Sequence, residues 1–438
     1  MKRNLIMMLA AAVMMAVSCE KNDGPKTAEV SICLQKDGAA LAVEGLTVSL
    51  RDIGGTASYE ALTDAAGVAL FVIPSGNYEA SVSSKIVEDG NVKNFTGVNS
   101  SISVIAGAPL SFNLTVVESD ASQVIIKELY VGGCPKDDGS GVYQVDNYVI
   151  LYNNSDVEAD ASDVCFAFAT PFNSYGTNKY ITDGVLMYEP QGWLPAGYAI
   201  WWFQKGTSVK IAPYSQIVIA INGAIDHTAT YSQSVDLSNA DYAMYDIESG
   251  FKNATSYPAP SESIPQSNYL KSYLYGMGNA WPLSKIAPAF YIFRDANCEA
   301  FAKDATNYDY TESQTLPVTK VAQDKVIDAI EVFAIGKEDA NKKRLPAKID
   351  AGYVMFLNKL GYSLYRNVDK EATEAIEGNA DKLVYNYAGG TEITTGQSTD
   401  PSGIDAEASI AKGAKIIYLD TNNSTKDFHQ RAKASLRK

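Results

Sequence analysis

The sequence predicts an all-β protein, a small sandwich followed by a much larger one that carries long insertions. Three observations lead there. Short apolar runs alternate with polar residues and are cut by Gly, Pro, Asp and Ser clusters, the pattern of half-buried strands joined by turns. Tyrosine is abundant, 27 of 438 residues, and its ring suits a pleated surface better than a helix. Only "TKVAQDKVIDAIEVFAI" (319–335) could be read as a helix, and its Val and Ile content fits a strand nearly as well.

Taken in order, the chain opens with Lys2 and Arg3 before the apolar run "LIMMLAAAVMMAV". A charged start and an apolar stretch too short to span a bilayer read as an export signal over 1–18. Cys19 directly after Ala16-Val17-Ser18 resembles the bacterial lipobox. That resemblance implies cleavage before Cys19 and lipidation of its thiol and amine. Each buried methylene of an acyl chain contributes about 0.8 kcal/mol, so several chains hold a protein at a membrane. The polar linker over 19–27, with Glu20 and Asp23, resembles the export tags of Bacteroidetes surface lipoproteins. The implied location is the outer membrane, facing the cell surface. No later stretch approaches 18 apolar residues, so the rest is expected to be soluble and tethered.

Residues 28–117 carry six strand-like runs, "VSICLQ", "LTVSLR", "VALFVI", "YEASVS", "SISVIA" and "LSFNLTVV". Within "TDAAGVALFVIPSGNYEASV" (63–82), Thr63-Asp64 and Gly67 mark one turn and Pro74-Ser75-Gly76 another. Tyr78 follows, its ring expected to bury while its hydroxyl finds a backbone acceptor. This stretch resembles the carboxypeptidase-regulatory, transthyretin-like sandwich, a resemblance that implies a spacer or docking module without catalytic residues.

The hinge "ESDASQ" leads into 122–438, which begins with "VIIKELYVG" and "DNYVILYNNS", strands whose alternation buries one face. These two runs, with "IAPYSQIVIAING" (211–223), "GYSLYRN" (361–367) and "DTNNSTKDF" (420–428), resemble a lamin-tail-like, immunoglobulin-like sandwich. The core of that fold is short, so 170–195 and 225–345 are expected to be insertions, long loops with short strands laid over the sandwich. The pairing of the two modules resembles a Bacteroidetes lipoprotein family of unknown function whose genes stand beside outer-membrane transporters. The resemblance implies a transporter or another surface protein as partner and a nutrient, an iron complex or a glycan, as ligand.

Charge and motifs exclude several classes. With 36 basic against 51 acidic side chains, net −15, the surface repels phosphate backbones, so no nucleic-acid partner is expected. There is no G-x-S-x-G, H-E-x-x-H, Walker loop or dinucleotide fingerprint, and no cofactor is indicated. His227 and His429 are the only histidines, which closes most routes to a nucleophile–histidine site. His429 lies in a basic tail and is expected in solvent, His227 in a turn. In "PKDDGSG" (135–141), Asp137 and Asp138 offer oxygen donors without the spacing of a calcium loop, and Asp-Gly there is ordinary hairpin chemistry. Asp137, Asp138 and His227 are thus the only residues offered for a metal, and a plain connection is the expectation.

Asp246 and Glu248 flank Ile247 on an expected strand, which would aim both carboxylates to one face and Ile247 to the core. Cys33 and Cys165 sit in apolar runs and read as inert thiols. Cys134 and Cys298 lie in polar, loop-like sequence and are the one candidate disulfide. In "AIWWFQKG" (199–206), adjacent Trp201 and Trp202 must point to opposite faces of a strand, so one indole lies under an insertion or faces solvent as a stacking platform. Trp193, Tyr198 and Trp281, in breaker-rich sequence, could join such a surface. The functional expectation is a tethered, non-catalytic binding accessory, with a structural or adhesive surface protein as the alternative.

Overall fold

The computed structural model describes residues 26–438 except 54–56, 89–90, 108, 251–252, 256, 277–282 and 394–395. The export signal, Cys19 and Trp281 therefore lie outside the described residues. The chain divides into two compact units, one running through Ile86 and taking in Asn94–Glu118, the other formed by Val87–Lys93 and Ser119–Lys438.

In the first unit, the strand Thr27–Lys36 pairs antiparallel with Ala39–Ala40 and Val68–Pro74 and parallel with Leu110–Thr115. A second sheet orders Ser58–Leu62, Thr47–Asp52, Gly76–Glu88, Asn91–Val104 and Val117–Ser122. Alternation sends Val30, Ile32, Phe71 and Ile73 from one sheet against Val48, Leu50, Val82 and Phe95 from the other. Each such side chain contributes roughly 1.5–3 kcal/mol by leaving water. Tyr78 is buried and its hydroxyl donates to the Pro74 carbonyl at 2.9 Å. Cys33 departs from the sequence reading: it falls on the outward register of its strand, half-buried, with Sγ 3.4 Å from Ser111 Oγ.

The turn at 64–67 is tightly determined. Asp64 Oδ1 accepts from the amides of Ala66 and Val68 at 2.9 and 3.0 Å. Gly67 has φ 76°, and a Cβ there would lie 1.8 Å from the Leu41 carbonyl oxygen. Gly67→Ala is therefore expected to cost the first unit about 2 kcal/mol through left-handed strain and that clash. Hydrogen exchange of peptides from 63–82 would show the loss of protection.

The second unit is a sandwich of two six-stranded sheets. One orders Tyr242–Ala243, Gln216–Ala220, Tyr148–Asn153, Val124–Tyr130, Ser363–Arg366 and Phe428–Arg431; the other orders Lys271–Leu274, Ala199–Trp202, Val164–Phe168, Ala289–Arg294, Val326–Ala334 and Val354–Phe356. Between them lies the main core, with Ile126, Leu151 and Leu364 facing Phe166, Trp201, Phe290 and Val332. The stretch 319–335 resolves into the strands Val318–Ala322 and Val326–Ala334.

Two expectations need correction. The segment 225–345 is not all insertion, because Ala289–Arg294 and Val326–Ala334 are interior strands of the second sheet. Nor do the opening strands bury one face alone: every residue of Val124–Tyr130 and Tyr148–Asn153 is buried. Further apolar clusters cover the outer faces, Val235, Leu237 and Ile264 over Tyr148 and Ile150, and Leu383, Ile404 and Ile416 over Ile125 and Tyr152. Lys127, on that outer side, is held by Glu407 at 2.7 Å and Gln216 at 2.6 Å, with the rings of Tyr152, Tyr365 and Tyr418 within 5.8 Å. A buried ammonium needs such company to offset lost hydration.

Candidate functional site

Strand direction builds the cleft. Cys165 pairs with Trp202 and Val164 with Arg294, both antiparallel. The segment before Val164–Phe168 and those after Ala199–Trp202 and Ala289–Arg294 therefore meet at one end of the sheet, where a sandwich usually presents its binding loops. They enclose a cleft of about 440 Å³, lined by Trp202, Lys205, Thr207, Asp163, Asn297 and Glu299 among others. Its walls are braced by ion pairs. Arg294 Nη1 donates to Asp163 and, at 3.0 Å, to the Asp160 carbonyl, while Lys325 Nζ lies 2.7 Å from Asp295 Oδ2. At Asp160 burial opposes ionisation, but Lys210 at 2.7 Å and Ser162 outweigh it and hold the carboxyl at about 2.

The aromatic candidates do not gather on one surface. Trp201 is fully buried between the sheets, 6.2 Å from the Tyr257 ring and nearly parallel to it. Trp202 points the other way, as alternation requires, into the cluster over the outer face of its sheet. It is 9% exposed and contributes to the lining of the cleft. Neither indole is an open platform, because the inserted strands Trp193–Ala196, Val318–Ala322 and Tyr308–Asp309 belong to the layer that covers that face. Trp193 is half-buried against Tyr188 and donates from Nε1 to Gln191 at 2.9 Å. Tyr198, 37% exposed with φ 55°, stacks on Phe168. Trp202→Ala should lower stability by about 3 kcal/mol, a core cost measurable by circular-dichroism melting.

The polar candidates are committed to structure. Residues 134–143 form a short hairpin, Cys134 opposite Tyr143. Asp137 accepts from the Ser232 amide and hydroxyl at 3.0 and 2.9 Å, and Asp138 accepts from the Ser140 amide. His227 is buried, Nε2 lying 2.5 Å from the Gly223 carbonyl and Nδ1 2.8 Å from the Tyr143 hydroxyl. Among the described residues no group of three His, Cys, Asp or Glu side chains is placed to hold a metal ion.

His429 overturns its sequence reading. It lies in the strand Phe428–Arg431, buried, with Nε2 2.8 Å from the Tyr387 hydroxyl and Nδ1 2.7 Å from Asn367 Oδ1. Burial, aided by Arg431, pushes it down to about 3. Asp246 and Glu248 do not share a strand face either. Residues Ile247–Ser249 form a 3₁₀ turn, Asp246 is buried and accepts from the Ser272 amide, Glu248 reaches out to Lys271, and Ile247 is 55% exposed. The proposed Cys134–Cys298 bridge is absent, Cys134 being buried beside Tyr130 and Asp146 and Cys298 beside Cys165.

Sequence reasoning missed the buried charges. Arg344 pairs with Glu331, and Arg366 is met by Asp328, Asp420 and Asp427. The available signal was an acidic residue inside an apolar strand, Asp328 and Glu331 in "VIDAIEVFA".

The architecture is that of a two-unit β-sandwich protein with a loop-built cleft. Residues 212–380 match the model of DUF4876, described as a protein of unknown function. A DUF4876 family protein from Bacteroides thetaiotaomicron has a crystal structure similar to this one, with a TM-score of 0.54 and 21% identity over 92% of this chain and 94% of its own. That likeness shows a common fold. A DUF3823 family protein from Parabacteroides merdae matches 42% of this chain and 92% of its own at 14% identity and a TM-score of 0.17. A variant of BcpA, the major pilin subunit of Bacillus cereus, matches 42% and 48% at 13% identity and 0.16. Both scores are too low to bear on the fold. No curated protein matches the chain.

Proposed function

We propose that this is a lipid-tethered outer-membrane accessory protein that binds a glycan-class ligand in the 440 Å³ cleft and performs no chemistry on it. The cleft is the observation that carries the reading. Its lining mixes hydroxyl, amide, ammonium and carboxylate groups with a single, mostly buried tryptophan, which suits a polyhydroxylated ligand better than the flat apolar face of a haem. The commitment of His227 and His429 to internal partners supports a non-catalytic role. The likeness of the modules to transthyretin-like and lamin-tail-like units, and of the leader to a lipobox, supports a tethered accessory working beside a transporter. Among the described residues no helix is long and apolar enough to cross a membrane.

The test is calorimetry and thermal shift of the full chain against glycans and iron chelates. Lys205→Glu, on the cleft lining, should leave the melting midpoint unchanged and weaken glycan binding at least tenfold. Binding of an iron chelate alone would move the ligand class, and turnover of any glycan would overturn the non-catalytic reading. Cys19→Ala should release the protein from the membrane fraction. The structural or adhesive alternative also has an observation behind it. The edge strand Val68–Pro74 turns Leu70 and Val72 outward, each 67% exposed, and such an edge invites a partner strand. Absence of any small-ligand shift would favour it.

A further inference from the structure

Two cysteines from distant parts of the chain meet beneath the cleft. Cys165, on the strand Val164–Phe168, sits between Trp202 and Phe293 in the sheet register. Its Sγ lies 3.6 Å from the Asp163 carbonyl and 4.0 Å from the Asp295 carbonyl, so the side chain leans toward the turn that follows Arg294. That turn leads straight into Cys298, the first residue of the helix Cys298–Lys303, which is buried in the same apolar cluster as Cys165. Both thiols are free in the structure and lie in one buried cluster, with Cys298 three residues beyond the Asp295 carbonyl that Cys165 approaches. The other described cysteines have different surroundings, Cys33 beside Ser111 in the first unit and Cys134 beside Tyr130 and Asp146.

We propose that Cys165 and Cys298 form a structural disulfide that ties the short helix to the second sheet and fixes the floor of the cleft. The chemistry is thiol–disulfide exchange with a disulfide oxidant such as oxidised glutathione. One cysteine thiolate attacks the oxidant and releases one reduced glutathione; the second cysteine attacks the mixed disulfide and releases another. Two protons and two electrons thus leave the protein with the two glutathione thiols. Burial, and next the neighbouring Cys165, push the Cys298 thiol well above its ordinary range, so the folded dithiol is a poor nucleophile. The bond therefore forms while the chain is still open and persists as a staple, in keeping with an exported protein. It closes a long loop, and the chain entropy removed from the unfolded state scales with that length.

The experiment refolds the full chain in a glutathione redox buffer, blocks free thiols with iodoacetamide in denaturant, and digests it without reduction. A peptide carrying Cys165 should be linked to one carrying Cys298, and reduction should lower the melting midpoint by on the order of 5 °C. Cys165→Ser and Cys298→Ser should each abolish that linked peptide without creating another. Should either variant fail to fold, the wild-type peptide map decides alone. Recovery of both residues fully alkylated, or linked instead to Cys33 or Cys134, would overturn the assignment. None of these readouts depends on what the cleft binds.

Discussion

Replacing Arg344 by alanine is expected to destabilise the second unit by about 5 kcal/mol, the largest single loss foreseen from any one side chain here. Neither Arg344 nor Glu331 has any exposed side-chain surface. The guanidinium donates from Nε and Nη2 to Glu331 Oε1 at 2.9 and 2.6 Å. It also satisfies the carbonyls of Pro171, Ala287 and Val332 at 3.1, 2.8 and 3.2 Å. Glu331 Oε2 in turn accepts from the amides of Arg344 and Leu345, both at 2.8 Å. Truncation would leave a buried carboxylate without its cation and take the guanidinium donor from three carbonyls. Breaking one partner of such a pair costs about 3–5 kcal/mol, and orphaned acceptors set the cost at the upper end. Glu331→Gln, which keeps an acceptor for the two amides, should cost less than Arg344→Ala. Urea unfolding read by tryptophan fluorescence measures both, since all four tryptophans lie beyond residue 122. A loss under about 2 kcal/mol for Arg344→Ala would mean that water or rearrangement reaches the site.

What the sequence discloses and what it hides follow from range. The turn at Asp64–Gly67, the anchoring of Tyr78 and the opposed faces of Trp201 and Trp202 depend on neighbours a few residues away, and alternation and turn chemistry reveal them. The second layer over each sheet comes from segments distant in the chain, so its effects are invisible locally. His429 illustrates this. Its setting, "KDFHQRAK", reads as a solvated tail, yet the strand pairs with Ser363–Arg366 and is covered by Tyr387. The cleft is hidden from the sequence for the same reason, being assembled from three loops that only the strand register brings together. Ala289–Arg294 carries an unbroken apolar run, but the resemblance to a shorter sandwich leaves it within an insertion.

Lowering the pH from 8 to about 6.5 is expected to stabilise the second unit. Arg366, fully buried, is the one cation among the described residues paired with three acids: Asp328, which its Nη2 contacts directly, Asp420 at 3.5 Å and Asp427 at 3.9 Å. Burial first, then the charge of Asp328, push Asp420 up to about 7 against the pull of Arg366. Burial likewise raises Asp350 to about 6, opposed by Lys343 and Ser424. Unfolded, these carboxyls titrate near 3.9, so between about 4 and 7 the folded chain holds a proton that the unfolded chain has released. Stability must then rise as pH falls through the folded values, by at most about 1.4 kcal/mol per pH unit for each group. The histidines act with the opposite sign. Burial pushes His429 down to about 3 and lowers His227 as well, while the unfolded imidazoles take up protons near 6.5. Their contribution is intact above 6.5 and is lost as pH falls below it, so the curve should level and then turn there. Asp420→Asn separates these effects. The amide oxygen can still accept from the Ser122 amide, as the carboxylate does at 2.8 Å, but it carries no charge to be relieved. The variant should be more stable than the parent at pH 8 and should show a flatter limb between 8 and 6.5, while its decline below 6.5 persists. A parent whose urea midpoint falls on going from pH 8 to 6.5, or a variant that keeps the parent's slope, would mean that Arg366 already holds Asp420 ionised at neutral pH.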